Sequence, residues 1–197
     1  LHMTFTDFNL SDEVIRAVTD LGFETPTPIQ ELMIPQLMTE ADDVVGLAHT
    51  GTGKTAAFGL PIISEIDLDD HTPQVLVLCP TRELCIQIAG ELNLYGKYSQ
   101  KLAVTSIYGG DSYDRQQREH RRGSHIIVAT PGRLLDLQRR GDIRLKNVEI
   151  LIIDEADRML DMGFIPDVRR IIHSTPQKNQ RQTLLFSATL TGEITRL

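Results

Sequence analysis

Val44-Val45-Gly46-Leu47-Ala48-His49-Thr50-Gly51-Thr52-Gly53-Lys54-Thr55 is the stretch that decides the fold. Apolar residues sufficient for a short strand run into a turn with two glycines, and Lys54-Thr55 then open the helix-compatible run Ala56-Ala57-Phe58. A strand, a glycine-bearing loop and a helix start bring backbone N–H groups and the positive end of a helix dipole to one point, which suits an anionic phosphate. Lys54 lies where an ammonium reaches the β and γ phosphates, and the Thr55 hydroxyl is placed to take one position on Mg²⁺. The general pattern G-x-x-x-x-G-K-[ST] asks for glycine where Ala48 stands, so a glycine-rich turn with no ligand is the alternative to weigh.

Outward from this loop, short β-type runs alternate with longer helix-type stretches. The strands read from the sequence are Val44 to Leu47, Val75 to Cys79, Val104 to Tyr108, His125 to Ala129, Ile150 to Ile153 and Thr183 to Ser187. They are rich in Val, Ile and Leu with little polar alternation, as expected of strands covered on both faces. The fold class implied is α/β, an open, mainly parallel sheet with helices on both faces and ligands at the carboxyl ends of its strands. Upstream, Ser11 with Val14, Ile15, Val18 and Leu21 predicts a capped amphipathic helix closed by Gly22. The Pro26 to Pro28 turn leads into a second helix near Ile29 to Met38. Leu1-His2-Met3 reads as a cloning scar outside the functional reading.

The fifth run ends in Asp154-Glu155-Ala156-Asp157. A strand that delivers an Asp to the carboxyl edge offers Mg²⁺ the hard anionic oxygen it needs, largely through water. Glu155 beside it is placed to orient and deprotonate a water for in-line attack, which favours hydrolysis over transfer to a second substrate. Taken alone, the acidic run is more readily a solvated loop, and it is the Lys54 loop upstream that turns the reading toward a metal site. Gln30, in Gly22-Phe23-Glu24-Thr25-Pro26-Thr27-Pro28-Ile29-Gln30, carries an amide that matches adenine N7 and its N6 amine, a pattern guanine reverses. ATP is therefore expected over GTP, with Phe5 or Phe8 available to stack on the base.

The 197 residues, 41% apolar and 24% charged, describe one ordinary globular domain. With 20 basic against 27 acidic side chains the net charge is −7, which argues against binding polyanions through diffuse charge. A nucleic-acid partner would have to be held by local geometry. No apolar run approaches a membrane span, no signal pattern opens the chain, and the cytoplasm is the expected location. Cys79 and Cys85 sit in apolar stretches and read as buried, reduced thiols. Neither they nor the six histidines show metal-ligand spacing, so no protein-ligated metal centre is expected.

The ordered set GFETPTPIQ, AHTGTGKT, PTREL, Gly109-Gly110, TPGR, DEAD and Ser187-Ala188-Thr189 resembles the amino-terminal RecA-like lobe of DEAD-box RNA helicases, from Phe5 to Thr189. The family's own phosphate loop carries alanine at the position of Ala48, which removes the misfit. The resemblance implies a RecA-like P-loop NTPase lobe over residues 4–197, with a base-reading segment at about 5–31, the phosphate loop at 48–55 and the DEAD box at 154–157. It implies ATP and Mg²⁺ as cofactors, with Phe5, Phe23, Thr25, Gln30 and Ala48 to Thr55 (Ala48, His49, Thr50, Gly51, Thr52, Gly53, Lys54, Thr55) on the nucleotide. It further implies that Thr55 and Asp154 hold the metal, that Lys54, Asp154 and Glu155 are catalytic, and that Ser187 and Thr189, in contact with Asp157, couple hydrolysis to strand separation.

The RNA-facing elements implied are Pro80, Thr81 and Arg82, then Gly109 and Gly110, then Thr130, Pro131, Gly132 and Arg133. Thr130 and Pro131 suit the cap and first position of a helix, and Pro80-Thr81-Arg82 repeats that logic. Two helix starts side by side grip successive phosphates without much net charge. The glycine pair is as readily a structural turn. Of Arg115, Arg118, Arg121 and Arg122, three or four share a helical face that reads as solvated more readily than as an RNA site, and Met159, Leu160, Met162 and Phe164 read as core more readily than as a partner site. The family's activity needs a second lobe to supply arginines to the γ phosphate, an effect of ~10³ to 10⁵ in rate. This chain alone is therefore expected to be a monomer that binds nucleotide, hydrolyses it poorly and does not unwind RNA. A nucleotide-gated RNA clamp shares the same motifs. A metabolic P-loop kinase leaves Glu155 without a role, and a DNA helicase is disfavoured by the resemblance.

Overall fold

The apolar runs form strands in the order they occur, each followed by a crossover helix. The computed structural model describes residues 2–49 and 51–197. A short 3₁₀ turn at Phe5–Phe8 precedes α1 (Asp12–Asp20) and α2 (Pro28–Thr39), and β1 (Val44–Leu47) then leads into α3 (Lys54–Glu65). The pattern repeats as β2 (Val75–Leu78), α4 (Arg82–Tyr95), β3 (Val104–Ile107), α5 (Tyr113–Arg121), β4 (Ile126–Ala129) and α6 (Pro131–Arg139). It closes with β5 (Ile150–Ile153), α7 (Ala156–Asp161), α8 (Ile165–Ser174), β6 (Gln182–Ser187) and α9 (Gly192–Thr195).

The strands build one six-stranded sheet, order β1-β6-β5-β2-β4-β3, with every pairing parallel. The expected "mainly parallel" sheet is thus wholly parallel among the described residues, and strand ends agree with the sequence reading to within one residue. Alternate strand residues enter two cores. Val75, Val77, Val128, Ile152 and Phe186 pack with α1 to α4 on one face, and Leu76, Leu78, Ile127, Ile153 and Leu185 pack with α6, α7 and α8 on the other. Burial on both sides explains why the strands read as unbroken apolar runs. Cys79 and Cys85 are buried and free. The neighbouring Cys85 thiol and burial push the Cys79 thiol far up.

Local signals act as the sequence implies at several ends. The Ser11 hydroxyl accepts from Val14 N at 3.3 Å, and Gly22 takes a left-handed φ of 75° beyond α1. His125, fully buried, accepts from Ala103 N through Nδ1 at 3.0 Å, and its Nε2 lies 3.0 Å from the Leu68 carbonyl. A neutral imidazole protonated at Nε2 satisfies both bonds. Met159 is buried, as expected after the acidic run, but Met162 is 46% exposed. α7 ends at Asp161 and Met162 caps it, so the residue points away from the core that Met159 enters. Among the described residues, no helix is long and apolar enough to cross a membrane.

The connection after β1 runs to the α3 face, while those after β5 and β6 run to the α7 face. Neighbouring strands whose loops part in this way open a crevice at the carboxyl edge of the sheet.

Candidate functional site

The crevice is floored by the loop between β1 and α3. Gly51 and Gly53 both take left-handed backbone, φ 85° and 82°. Gly53 caps α3, and a Cβ there would stand 2.6 Å from Gln30 Nε2 and 2.9 Å from Thr27 Oγ1. Glycine is thus demanded by conformation and by space. Gly53→Ala is expected to cost about 1–2 kcal/mol from the backbone alone and to push α2 off the loop. Chemical denaturation of the purified variant checks this, and an unchanged midpoint would contradict it.

Gln30 explains the close approach of α2. It is only 4% exposed. Its Oε1 accepts from Thr27 N at 2.9 Å, and its Nε2 donates to the Gly53 carbonyl at 3.1 Å. The amide that the sequence suggests for base reading also ties the start of α2 to the phosphate loop. Its second amide proton and second lone pair are left for a base edge. Phe5 is buried, its ring 6.0 Å from Phe8 and 6.1 Å from Phe23. Phe23 and Thr25 are exposed. Thr50 lies outside the described residues. Ala48 is buried, its N–H donating to the Ser187 carbonyl at 3.1 Å, whereas His49 is exposed and its carbonyl accepts from the Thr52 hydroxyl at 3.0 Å.

From the opposite side of the crevice β5 delivers Asp154. Lys54 Nζ donates to Asp154 Oδ1 at 2.5 Å, with the two side chains 11% and 1% exposed. Burial pushes the Asp154 carboxyl above its ordinary range, and Lys54 opposes that rise. Thr55, half-buried in the first turn of α3, stands next to this pair in the same cleft of about 160 Å³. The residues fit phosphates and a divalent cation: a cradle with two left-handed glycines, of which Gly53 has no room for a Cβ, a helix start, one ammonium, and hard oxygen donors in Asp154 and Thr55.

Glu155 stands out in its backbone. It has φ 52°, a left-handed conformation that is rare outside Gly, Asn and Asp and costs roughly 1–2 kcal/mol. Strain of this kind gathers at functional sites. The turn aims the half-buried Glu155 side chain along the cleft beside Asp154, where it also pairs with Arg158 at 3.3 Å. Asp154 Oδ1 accepts from Glu155 N at 2.9 Å, which fixes the bend.

Ser187 ends β6 beside this loop. Its hydroxyl accepts from Asp157 N at 3.1 Å and donates to the Thr189 carbonyl at 2.5 Å. Its contact with Asp157 is therefore to the backbone, and Thr189 joins through its carbonyl while its side chain stays exposed. Ser187→Ala strands the Asp157 N–H. It is expected to lower stability by about 1–3 kcal/mol, measurable by urea unfolding, and no loss would mean that water replaces the hydroxyl.

The second group of sequence-marked residues lines the same carboxyl edge. Thr81 caps α4, its hydroxyl accepting from Leu84 N at 3.2 Å, with Pro80 buried before it. Thr130 precedes α6 with Pro131 at its first position, but makes no side-chain cap bond, contrary to expectation. Its backbone is engaged instead: its N–H donates to the Ile107 carbonyl at 2.9 Å. The two helix starts follow the adjacent strands β2 and β4, yet α4 and α6 lie on opposite faces of the sheet, so they flank the edge rather than lie alongside each other. Gly109 and Gly110 are exposed between them, Gly110 with φ 81°. Gly132 is exposed in the first turn of α6. Arg82 Nη1 lies 3.5 Å from the Gly110 carbonyl. Arg133 points inward. It donates to the Asp111 carbonyl at 2.8 Å and stacks 3.7 Å from the Tyr113 ring centre, bracing the glycine loop from beneath.

The sequence reading missed one wall of the cleft. Leu84, Gln87, Glu91 and Tyr95 of α4 face the phosphate loop. Their spacing of three or four residues was the available signal. Tyr95 also sits 6.2 Å from Phe23, and burial pushes its phenol up.

A wholly parallel α/β sheet with a glycine cradle, a lysine and a strand-delivered carboxylate at its carboxyl edge defines a P-loop nucleotide-binding lobe of the RecA-like kind. A family model described as DEAD/DEAH box helicase matches residues 27–197. The chain belongs to that family. It is 47% identical to the ATP-dependent RNA helicase DeaD of Haemophilus influenzae, covering 99% of this chain and 31% of that protein. It is 50% identical to the protein of the same name from Mycobacterium tuberculosis, over 98% of this chain and 34% of the other. It is 48% identical to the DEAD-box ATP-dependent RNA helicase CshA of Streptococcus pneumoniae, over 99% and 36%. The crystal structure of a DEAD box protein from the hyperthermophile Methanococcus jannaschii superposes with a TM-score of 0.92 at 41% identity, over 99% of this chain and 52% of that one. The chain thus spans about a third of the length of these curated relatives.

Proposed function

We propose that this chain is the ATP-binding lobe of an ATP-dependent RNA helicase, working with a second RecA-like lobe of the same parent protein in the cytoplasm. The observation that carries the reading is the meeting of Lys54, Asp154 and the strained Glu155 in one cleft over the phosphate cradle. The phosphates of ATP lie over the N–H groups of Gly51 to Thr55, with the adenine toward Gln30 and the aromatic pair Phe5 and Phe23. Thr55 and Asp154, the latter largely through water, would hold Mg²⁺, which would supply charge neutralisation at the β and γ phosphates. Lys54, which stands 2.5 Å from Asp154 at the start of α3, would place its ammonium on the γ phosphate. Glu155 accepts a proton from the attacking water. The bond from Ser187 to Asp157 N links that loop to β6, the path by which phosphate release alters the carboxyl edge.

RNA lies along that edge. The Gly109-Gly110 loop and the starts of α4 and α6 meet its phosphates through backbone N–H groups, which accounts for binding by a chain of net charge −7. Arg82 supplies an exposed cation there, and Arg133 holds the loop in shape. Only an arginine-bearing second lobe completes the γ-phosphate site, so the isolated chain, a monomer, binds nucleotide, turns it over slowly and leaves duplexes closed. Titration with a fluorescent ADP and a strand-displacement assay on this chain test the reading. Nucleotide binding without unwinding is expected. RNA-stimulated unwinding by the chain alone, or no nucleotide binding, would overturn it.

A further inference from the structure

The amino edge of the sheet, opposite the site above, carries a hollow of about 670 Å³. It is built by the loops that enter β2, β4 and β5. Arg121, Arg122, Arg144 and Lys146 stand on it, all exposed. Among the described residues none of the four is in an ion pair. Arg115 of the same helix α5, by contrast, is held by Asp111 and Glu119 at 3.1 and 3.2 Å. The acid within the hollow, Asp142, already faces Arg140 at 3.6 Å.

The loops are fixed. Ile143 and Leu145 are buried, so Arg144 and Lys146, at the alternate positions, are both turned outward. Ser124 N donates to the His71 carbonyl at 3.2 Å, and Asn147 Nδ2 donates to Thr72 Oγ1 at 3.4 Å, tying the three loops together. Gly123, φ 102°, lets the α5 loop come so near that a Cβ would stand 3.1 Å from His71 Cβ. Four uncompensated cations on a rigid concave surface, in an otherwise acidic chain, repel one another until an anion joins them. Arginine forks match phosphate oxygens two at a time.

We propose that this hollow binds the phosphodiester backbone of an RNA strand that continues past the carboxyl-edge site, an inference that rests on the RNA reading above. α5 starts just after the Gly109-Gly110 loop and ends at Arg121 on the hollow. It spans ~14 Å at 1.5 Å per residue, with Arg118 exposed and likewise outside any ion pair on the way. A basic line that connects the two edges suits a chain-like polyanion tethered at the first of them, more than a small anion or a separate acidic protein.

The test measures binding of single-stranded RNA of about 6 and about 20 nucleotides, by fluorescence anisotropy across a salt series and with a non-hydrolysable ATP analogue present. It compares the wild-type chain with the variant Arg121→Gln/Arg122→Gln/Arg144→Gln/Lys146→Gln. The short RNA is expected to bind both forms equally. The variant should hold the long RNA about tenfold more weakly. Its salt slope should fall by roughly 2–3, because each phosphate that a cation neutralises adds about 0.7 to the slope on a single strand. An unchanged affinity and slope for the long RNA, or equal weakening for both lengths, would overturn the inference. So would pyrophosphate or polyglutamate binding that the variant loses while long-RNA affinity stays intact, since that assigns the hollow to another anion. If the short RNA binds neither form, the RNA reading fails first and is distinguished by that result.

Discussion

Lys54→Ala is expected to abolish nucleotide binding and to destabilise the chain by about 3 kcal/mol at neutral pH in the absence of metal. Among the described residues, the lysine is the only cation paired with a carboxylate that is 1% exposed. Burial already drives Asp154 toward its neutral form, and Lys54 is what opposes that. In the variant the folded pKa then lies well above the unfolded one. Between those two values the folded state holds a proton that the unfolded chain releases, so stability falls as pH rises through that window. The deficit of the variant is therefore largest at pH 8 and shrinks as the pH is lowered toward 5. Urea unfolding at the two pH values measures it. A Lys54→Met/Asp154→Asn pair, with no buried charge, should regain most of the stability and none of the nucleotide binding. A deficit independent of pH would mean that the loss comes from packing and not from the stranded carboxylate.

Glu155→Gln is the second large effect, and it separates chemistry from binding. The amide keeps the size, the left-handed turn and the hydrogen bond from the Glu155 backbone to Asp154, but it cannot take a proton from water. In a two-lobed protein of the proposed kind, RNA-stimulated ATP hydrolysis should fall by about 10²- to 10⁴-fold, with nucleotide affinity unchanged within a factor of about two. A loss of less than tenfold would assign water activation to another group.

The strands were legible because both faces of the sheet are covered, which turns each into an unbroken apolar run. The phosphate loop and Asp154 were legible for a related reason: each follows directly on such a run, at the edge where ligands sit. Less visible were facts that depend on what packs across the crevice. The amide chemistry of Gln30 suggests a base reader, but only the fold brings Gly53 so near it that the same amide also staples α2. Arg133 is expected to face RNA, whereas the Tyr113 ring and the Asp111 carbonyl, at and just before the start of α5, hold it inward. Thr130 has the right residue type for a cap, yet its side chain makes no such bond. The α4 wall of the cleft was missed because helical spacing tells which residues share a face, not which loop that face will meet. The strain at Glu155 leaves no trace in residue type at all. Arg115, Arg118, Arg121 and Arg122 are exposed, as read; that Arg144 and Lys146 share a hollow with the last two was hidden because they lie far along the chain.

In the proposed function MgADP binds on the cradle between β1 and α3. Backbone-amide NMR shifts of the chain, followed through a titration with MgADP, test it most directly. The largest shifts are expected at Gly51, Gly53, Lys54 and Thr55, with smaller ones at Gln30 and Glu155, none at Gly123 on the amino edge, and no response in Lys54→Ala. Shifts centred elsewhere, or a Lys54→Ala chain that titrates like the wild type, would contradict it.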